Sequence, residues 1–290
     1  MADHPGFAII IPHYNDHARL ERCLTALMQN DTDGTEVVVV DNGSAPSLDA
    51  WPDRFPAIRF VTEPAKGAAA ARNRGVIETT APLLFFLDAD CVPAPDWISV
   101  ARRVLRSDMV VGGRIDVFDE GTGPRSGAQA FETVFAFNQR AYIRDKGFSV
   151  TANLLTTRAV FDAVGPFVVG LSEDVEWCHR ATAAGFPLVY EDSLRVQHPS
   201  RGDWPALRKK WRRMTEEGFG AAGQDMSGRL RWAVKALMMP VSILAHLPKV
   251  LRHPALRDGR ERLRCAAVLA RLRLVRAGWM LRQAAGQGLP

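Results

Sequence analysis

Pro82-Leu83-Leu84-Phe85-Phe86-Leu87-Asp88-Ala89-Asp90 is the stretch on which the fold turns. Five apolar residues in a row, bounded by Pro82 and a sudden pair of carboxylates, look like a strand buried on both faces of a mostly parallel sheet. The switch to Asp-Ala-Asp marks where the chain leaves that sheet. On an extended chain, alternate residues share a side, so Asp88 and Asp90 could share one divalent cation and a polyol. Backbone capping in the turn is the competing reading, because Asp is common after strands.

Upstream, Phe7–Ile11, Glu36–Asp41 and Ile58–Val61 are further short apolar runs of strand character. Leu20, Cys23, Leu24, Leu27 and Met28 fall at helical spacing between the first two, with Asn15 or Asp16 placed to cap the start. Gly67–Glu78 suits a second helix, and Pro95 suits the first turn of a third that runs to about Ser107. Strand–helix–strand repetition of this kind implies an open α/β sheet, which carries ligands beyond the carboxyl ends of its strands. Downstream the pattern predicts a strand over Met109–Phe118, a helix over Gln129–Ile143 and a strand over Phe148–Thr157. It also predicts a helix capped by Ser172 and stopped near Gly185, then two closing strands, Leu188–Tyr190 and Leu194–His198.

Charge divides the chain more sharply than its small net excess suggests. Residues 205–290 carry 18 Lys and Arg against 5 Asp and Glu, leaving 19 against 27 for residues 1–204. An anionic surface is the natural neighbour of such a basic segment. Trp232–Leu247 is its most apolar stretch, but it contains Lys235 and Pro240 and falls short of the ~20 residues of a spanning helix. Arg262–Ala285 places Leu263, Ala266, Ala267, Ala270, Leu274, Ala277 and Leu281 near one face, with six arginines elsewhere. This is either an interfacial helix on anionic lipid, with Trp232 and Trp279 beside the arginines, or a helix packed on the catalytic domain. The four cysteines match no metal-ligand spacing and suit a reduced, cytoplasmic setting. No secretory signal is evident in residues 1–11. Aromatics are not interleaved with the C-terminal basic residues as stacking platforms, which argues against nucleic acid as a partner.

More polar residues gather at the same predicted sheet edge. Pro12-His13-Tyr14-Asn15 follows the first strand, and Asp41-Asn42-Gly43-Ser44 follows the second. The Asp41 carboxylate could accept from a nucleobase N–H or a ribose hydroxyl. The segment from Gly67 to Asn73 opens a helix, whose N-terminus and Arg72 could favour phosphate, with a surface position for Arg72 as the competing reading. Glu173-Asp174-Val175-Glu176-Trp177 begins a later helix, where its carboxylates either complement the helix dipole or do chemistry.

Taken in order, P-x-Y-N, V-D-N-G-S, G-x-x-x-A-R-N-x-G, D-A-D and S-E-D-V-E-W resemble the family 2 glycosyltransferases over about residues 5–200. The resemblance implies a GT-A type, Rossmann-like open mixed sheet flanked by helices over residues 1–204, with the helical basic extension at 205–290. It implies that Tyr14 stacks on the nucleobase, Asp41 binds base or ribose, Arg72 reaches base or phosphate and Asp88 meets ribose or donor sugar. Pro12, Asn15, Asn42, Asn73 and Ala89 belong to the same donor-binding motifs. Asp90 would bind Mn²⁺ or Mg²⁺, with His198 completing the metal site unless that histidine is structural. Asn153 would lie beneath the donor sugar unless it is a satisfied buried amide. Asp174 would be the base that deprotonates the acceptor hydroxyl, giving inversion, with Glu173 and Glu176 orienting acceptor or protein.

The expected donor is UDP-linked, with GDP and dTDP also open. The expected acceptor is a saccharide or lipid-linked, met at the inner face of the cell membrane. Processive synthases of this family carry Q-x-x-R-W, where this chain has Leu207 for Gln and Lys210 for Arg ahead of Trp211. That departure predicts one sugar per encounter. Lys209, Lys210, Arg212 and Arg213 could touch diphosphate or lipid phosphate, or be solvated. A sugar nucleotidyltransferase would need a Gly-rich basic loop where Pro12–Asn15 stands. A non-catalytic relative would be expected to lack Asp90 or Asp174.

Overall fold

The computed structural model describes residues 6–170, 172–223 and 225–289; Leu171, beside the Ser172-Glu173 motif, lies outside them. The first half alternates β1 (Phe7–His13), α1 (His17–Leu27), β2 (Thr35–Asp41), α2 (Trp51–Arg54), β3 (Ile58–Thr62), α3 (Ala68–Ile77) and β4 (Leu83–Leu87). Then follow β5 (Val92–Pro93), α4 (Trp97–Val104), β6 (Val110–Phe118), α5 (Gly127–Phe135), α6 (Gln139–Lys146), β7 (Asn153–Thr157) and α7 (Arg158–Val164). The chain continues through α8 (Glu173–Ala183), β8 (Leu188–Pro199), α9 (Trp204–Ala222), α10 (Met226–Arg252) and α11 (Gly259–Ala284).

Among the described residues the strands form one sheet in the order β3-β2-β1-β4-β7-β6-β8-β5. β1, β2, β3 and β4 are mutually parallel, and β7 runs antiparallel to both β4 and β6. The continuous apolar runs are explained by burial on both faces. Ile9, Ile11, Val37, Val39, Phe85 and Leu87 point to a core shared with α1 and α4. Ala8, Ile10, Val38, Val40, Leu84 and Phe86 point to the opposite core, under α3, α7 and α8. α3 lies so close to β1 that a side chain on Gly75 would meet Ile10 Cγ2 at 2.4 Å.

Contacts divide the chain into two compact units: residues 1–116 with 137–198, and residues 117–136 with 199–290. The helix expected over Gln129–Ile143 is interrupted at that division. Ala136 is extended, Phe137 has φ of 48°, and Asn138 caps a new helix by accepting from the Ala141 N–H. The strand expected from Phe148 begins only at Asn153, because the Ser149 and Val150 amides donate to side chains, Cys178 Sγ and Gln139 Oε1, rather than to a ladder. The two closing strands are one, β8.

In the second unit, α5, α9, α10 and α11 share an apolar core that includes Phe131, Leu207, Val250, Cys265 and Leu269. α11 buries Cys265, Leu269, Leu272, Trp279 and Met280, whereas Leu263, Leu274 and Leu281 of the expected apolar face are exposed. Trp232 and Trp279 are buried rather than interfacial, and Trp232 Nε1 donates to Gln283 Oε1 at 3.0 Å. Helix α10 outruns its apolar segment, carries Pro240 and Pro248 inside it, and is long and apolar enough to cross a membrane by length and composition. It leaves Met226, Leu230, Val234, Leu237, Met238, Val241 and Leu244 exposed at roughly helical spacing.

Candidate active site

Three parallel strands deliver polar residues at their carboxyl ends. His13 and Asp41 are in register at the ends of β1 and β2, and β4 hands over to Asp88-Ala89-Asp90. The turn after β2 is built by Asp41, which is 6% exposed. Its carboxylate accepts from the Ser44 N–H and, at 2.5 Å, from the Ser44 hydroxyl. Asn15 ties the turn after β1 to the same loop: its backbone N–H donates to Ser44 Oγ, and its Oδ1 accepts from the Ala45 N–H. The Tyr14 ring beside it is more than half exposed, with Lys66 Nζ 5.1 Å from its centroid. Lys66 was not foreseen as part of the site. Its only sequence signal is its place just before Gly67, whose φ of 121° opens α3.

Asn42 and Asn73 hold the protein's own backbone at this edge. Asn42 Nδ2 donates to the carbonyls of Glu63 and Ala65, and its Oδ1 accepts from the Gly67 N–H, which shapes the approach to α3. Asn73 exchanges two hydrogen bonds of 2.9 Å with the Phe167 backbone. Asn153 is occupied by the protein in the same way, as the satisfied buried amide that its sequence left open. It is fully buried, donates to the Arg114 and Leu194 carbonyls and accepts from Trp97 Nε1, so each of its polar atoms already has a protein partner.

Arg72 is the hub. It is buried, and its guanidinium donates to Asp88 Oδ1 at 2.6 Å and to Glu173 Oε1 at 2.8 Å. Burial opposes its charge, but the two carboxylates more than offset this and hold its pKa above the ordinary arginine value. Glu173 is thereby committed to Arg72. Glu176 is likewise committed to Arg180, which it meets through both carboxylate oxygens at 2.5 and 2.9 Å.

Asp174 differs from both. Burial, then the neighbouring Glu173 charge, push its pKa up to about 6, against the pull of the Val175 N–H that donates to Oδ1 at 2.8 Å. Its other oxygen has no protein partner among the described residues. A carboxylate so placed can take a proton near neutral pH.

On the other side of the Asp-Ala-Asp turn, where Ala89 is itself buried, Asp90 Oδ2 lies 3.2 Å from His198 Nε2. The imidazole is nearly buried and packs on the Phe137 ring at a centroid separation of 4.5 Å. No group of three or more His, Cys, Asp or Glu side chains suited to a metal occurs among the described residues. Asp90 and His198 are the two such side chains that meet at this turn. The basic residues considered as phosphate contacts are largely engaged within the second unit: Lys210 with Glu132, Arg212 with Glu216 and Arg213 with Glu217.

A parallel α/β half-sheet continued by an antiparallel half, with polar residues gathered where the parallel strands end, defines a nucleotide-binding sheet of the GT-A class. Residues 8–175 match the family model described as Glycosyl transferase family 2. The chain is 30% identical over 221 residues to glycosyltransferase AglE of Haloferax volcanii, covering 72% of this chain and 71% of that one. It is also 30% identical over 221 residues to the pre-mycofactocin glycosyltransferase of Mycobacterium tuberculosis, of whose length the match spans 46%. In structure it resembles the mannosyltransferase PcManGT from Pyrobaculum calidifontis in complex with GDP-Man and Mn²⁺, with a TM-score of 0.53 and 17% identity over 99% of this chain and 77% of that one. The chain belongs to glycosyltransferase family 2, and is a transferase that takes its sugar from a nucleotide-sugar donor.

Proposed function

We propose that this enzyme moves one sugar, with inversion, from a UDP-linked donor to a hydroxyl of a lipid-linked or saccharide acceptor. The observation that carries this reading is Asp174. Its pKa is pushed up to about 6, one oxygen has no protein partner among the described residues, and Glu173-Arg72-Asp88 connects it to the turn that bears Asp90. In this reading the acceptor hydroxyl gives its proton to Asp174 as its oxygen bonds to the anomeric carbon. The bond from that carbon to the diphosphate breaks, and its electron pair leaves with the nucleoside diphosphate. Tyr14 offers a face for the base, Asp41 and Ser44 edge the ribose region, and the N-terminus of α3 favours the diphosphate.

A carboxylate beside an imidazole suits Mn²⁺ or Mg²⁺, with the remaining positions open to phosphate and water. Asp90 and His198 are the residues that would hold the ion. When bound, it supplies positive charge against the departing diphosphate.

For the membrane, the exposed apolar stripe of α10 supports an interfacial rather than a spanning placement. The run free of Lys, Arg, Asp and Glu between Lys235 and Lys249 extends over about 20 Å of helix, less than the ~30 Å hydrocarbon core. With the basic composition of residues 205–290, this favours association with the inner face of the cell membrane from the cytoplasm.

The test is calorimetric titration of UDP, GDP and dTDP, each with Mn²⁺ and with EDTA, against the wild type and Asp90→Ala. Metal-dependent binding of UDP alone, lost in Asp90→Ala, is the expected result. Binding of GDP or dTDP instead would overturn the choice of base, and no binding would overturn the donor site. Failure of the full chain to float with anionic vesicles would overturn the membrane association. Long homopolymer from one acceptor would overturn the single transfer.

A further inference from the structure

β6 is antiparallel to β7, which is antiparallel to β4, so the later residues of β6 run to the same sheet edge as the Asp-Ala-Asp turn. There a cavity of about 250 Å³ opens between the later half of β6, the start of α6 and the first half of β8. Two of its walls lead to the turn. The Arg114 carbonyl accepts from Asn153, the residue opposite Leu87 at the head of Asp88-Ala89-Asp90. The Phe137 ring packs on His198, which meets Asp90. The cavity belongs to the antiparallel half of the sheet, whereas Tyr14, Asp41 and Arg72 come from the parallel half.

Asp192 gathers the charges of the cavity. Its Oδ1 accepts from the Tyr190 hydroxyl at 2.9 Å and from Arg140 Nη2 at 3.1 Å, and Arg114 Nη1 lies 3.5 Å from its Oδ2. Arg114 Nε also donates to Asp116 Oδ1 at 2.9 Å. Two arginines are matched by two carboxylates, so no excess charge is left to hold an anion. So polar a lining does not favour an apolar ligand either. What remains is hydrogen-bonding capacity of both kinds. Asp116 Oδ2 has no protein partner among the described residues, and neither has the Nδ2 of Asn138, whose Oδ1 caps α6. Hydroxyl groups, which both donate and accept, answer to that mixture, and they bond ionised partners more strongly than neutral ones. The volume suits one ring rather than a chain, since pockets for drug-sized ligands run to ~300–1,000 Å³. We propose that this cavity holds one neutral pyranose ring of the acceptor. The inference rests on the saccharide acceptor proposed above and gives that acceptor a place.

The test is saturation-transfer NMR from the full chain to the methyl pyranosides of glucose, galactose, mannose and N-acetylglucosamine, with that of glucuronic acid as the anionic comparison. At least one neutral pyranoside should bind at millimolar concentration, and more tightly than the glucuronic acid derivative. Asp192→Asn and Asp116→Leu should each weaken it on the order of tenfold. Asp90→Ala should leave it unchanged, which separates this cavity from the donor site. No binding of any neutral pyranoside, or a preference for the anionic one, overturns the neutral-sugar subsite. Binding that survives both Asp192→Asn and Asp116→Leu overturns its place in this cavity and spares the saccharide acceptor. Neither readout involves the donor, so the proposed transfer stands or fails separately, on the nucleotide titration.

If the variants do not fold, phenylglyoxal modification of the wild type, mapped by peptide mass, answers instead. The bound pyranoside should protect Arg114 and Arg140 and leave the exposed Arg103 open to modification. Equal modification of Arg114 and Arg140 with and without the sugar overturns the proposal.

Discussion

Arg72 and Glu173 are 101 residues apart in the chain, and Arg72 Nη1 lies 2.8 Å from Glu173 Oε1. The other arm of the same guanidinium holds Asp88. One buried cation thus fixes the Asp-Ala-Asp turn relative to the start of α8, where Asp174 stands beside Glu173. The planar fork makes this possible, because it presents donors in two directions at once.

Arg72→Met should therefore strip two part-buried carboxylates of their cation. We expect a stability loss of about 3–5 kcal/mol by urea denaturation and loss of transferase activity. Arg72→Lys should recover much of the stability and little of the activity, since one ammonium cannot hold both partners in the same geometry. Full activity in Arg72→Lys would show that the spacing of Asp88 from α8 does not matter for turnover.

Asp174→Asn separates chemistry from folding. With a folded pKa of about 6 and an ordinary value of 3.8, Asp174 binds its proton more tightly in the native state. Its ionisation on folding is therefore a cost that grows as pH rises from about 4 to 6 and is complete above 6. Asp174→Asn should be more stable than the wild type at pH 8, by roughly 1–3 kcal/mol, and equal to it near pH 4. Its activity should fall by about 10²–10⁴-fold. In the wild type, turnover should decline as pH falls through 6. An active Asp174→Asn, or a flat pH profile, would remove Asp174 from the base role.

The four parallel strands and the polar residues at their carboxyl ends were legible because both kinds of signal are local. A run such as Leu83–Leu87 declares burial on both faces, and a turn such as Asp41–Ser44 declares where the strand stops. What the residues do inside those motifs was less legible, because that depends on distant partners. Asn42, Asn73 and Asn153 sit in the expected places but spend their amides on backbone groups 21 to 94 residues away. The break at Phe137 was invisible because the residues on both sides favour helix, and only the division of the chain into two units separates them. The buried face of α11 was not legible because alanines and leucines occur all round that helix; packing chose Cys265, Leu269 and Leu272.

His198→Phe tests the second member of the Asp90 pair. The Phe137 ring packs on the imidazole, so an aromatic replacement should keep that contact while removing Nε2. The melting temperature should change little, and the Mn²⁺ concentration needed for half-maximal activity should rise on the order of tenfold. Superimposable Mn²⁺ titrations of variant and wild type would mean that His198 serves only to pack.

Glu132 makes the corresponding case for the second unit. It is 1% exposed, takes the Arg201 N–H at 2.8 Å, and bonds Arg201 Nη1 and Lys210 Nζ at 2.9 Å each. Burial resists its ionisation, but Lys210 and Arg201 prevail and its pKa lies below the ordinary carboxylate value of 4.5. A depressed carboxylate contributes stability that is present above 4.5 and lost as pH falls through the lower native value. Glu132→Gln keeps the shape, loses the charge and leaves two cations without a counter-ion. The expected cost is about 3–5 kcal/mol at pH 7, narrowing toward pH 3 as the wild type loses the same contribution. Thermal melts of both proteins across that range check it. A difference that stays constant with pH would mean that the cost comes from repacking rather than from charge.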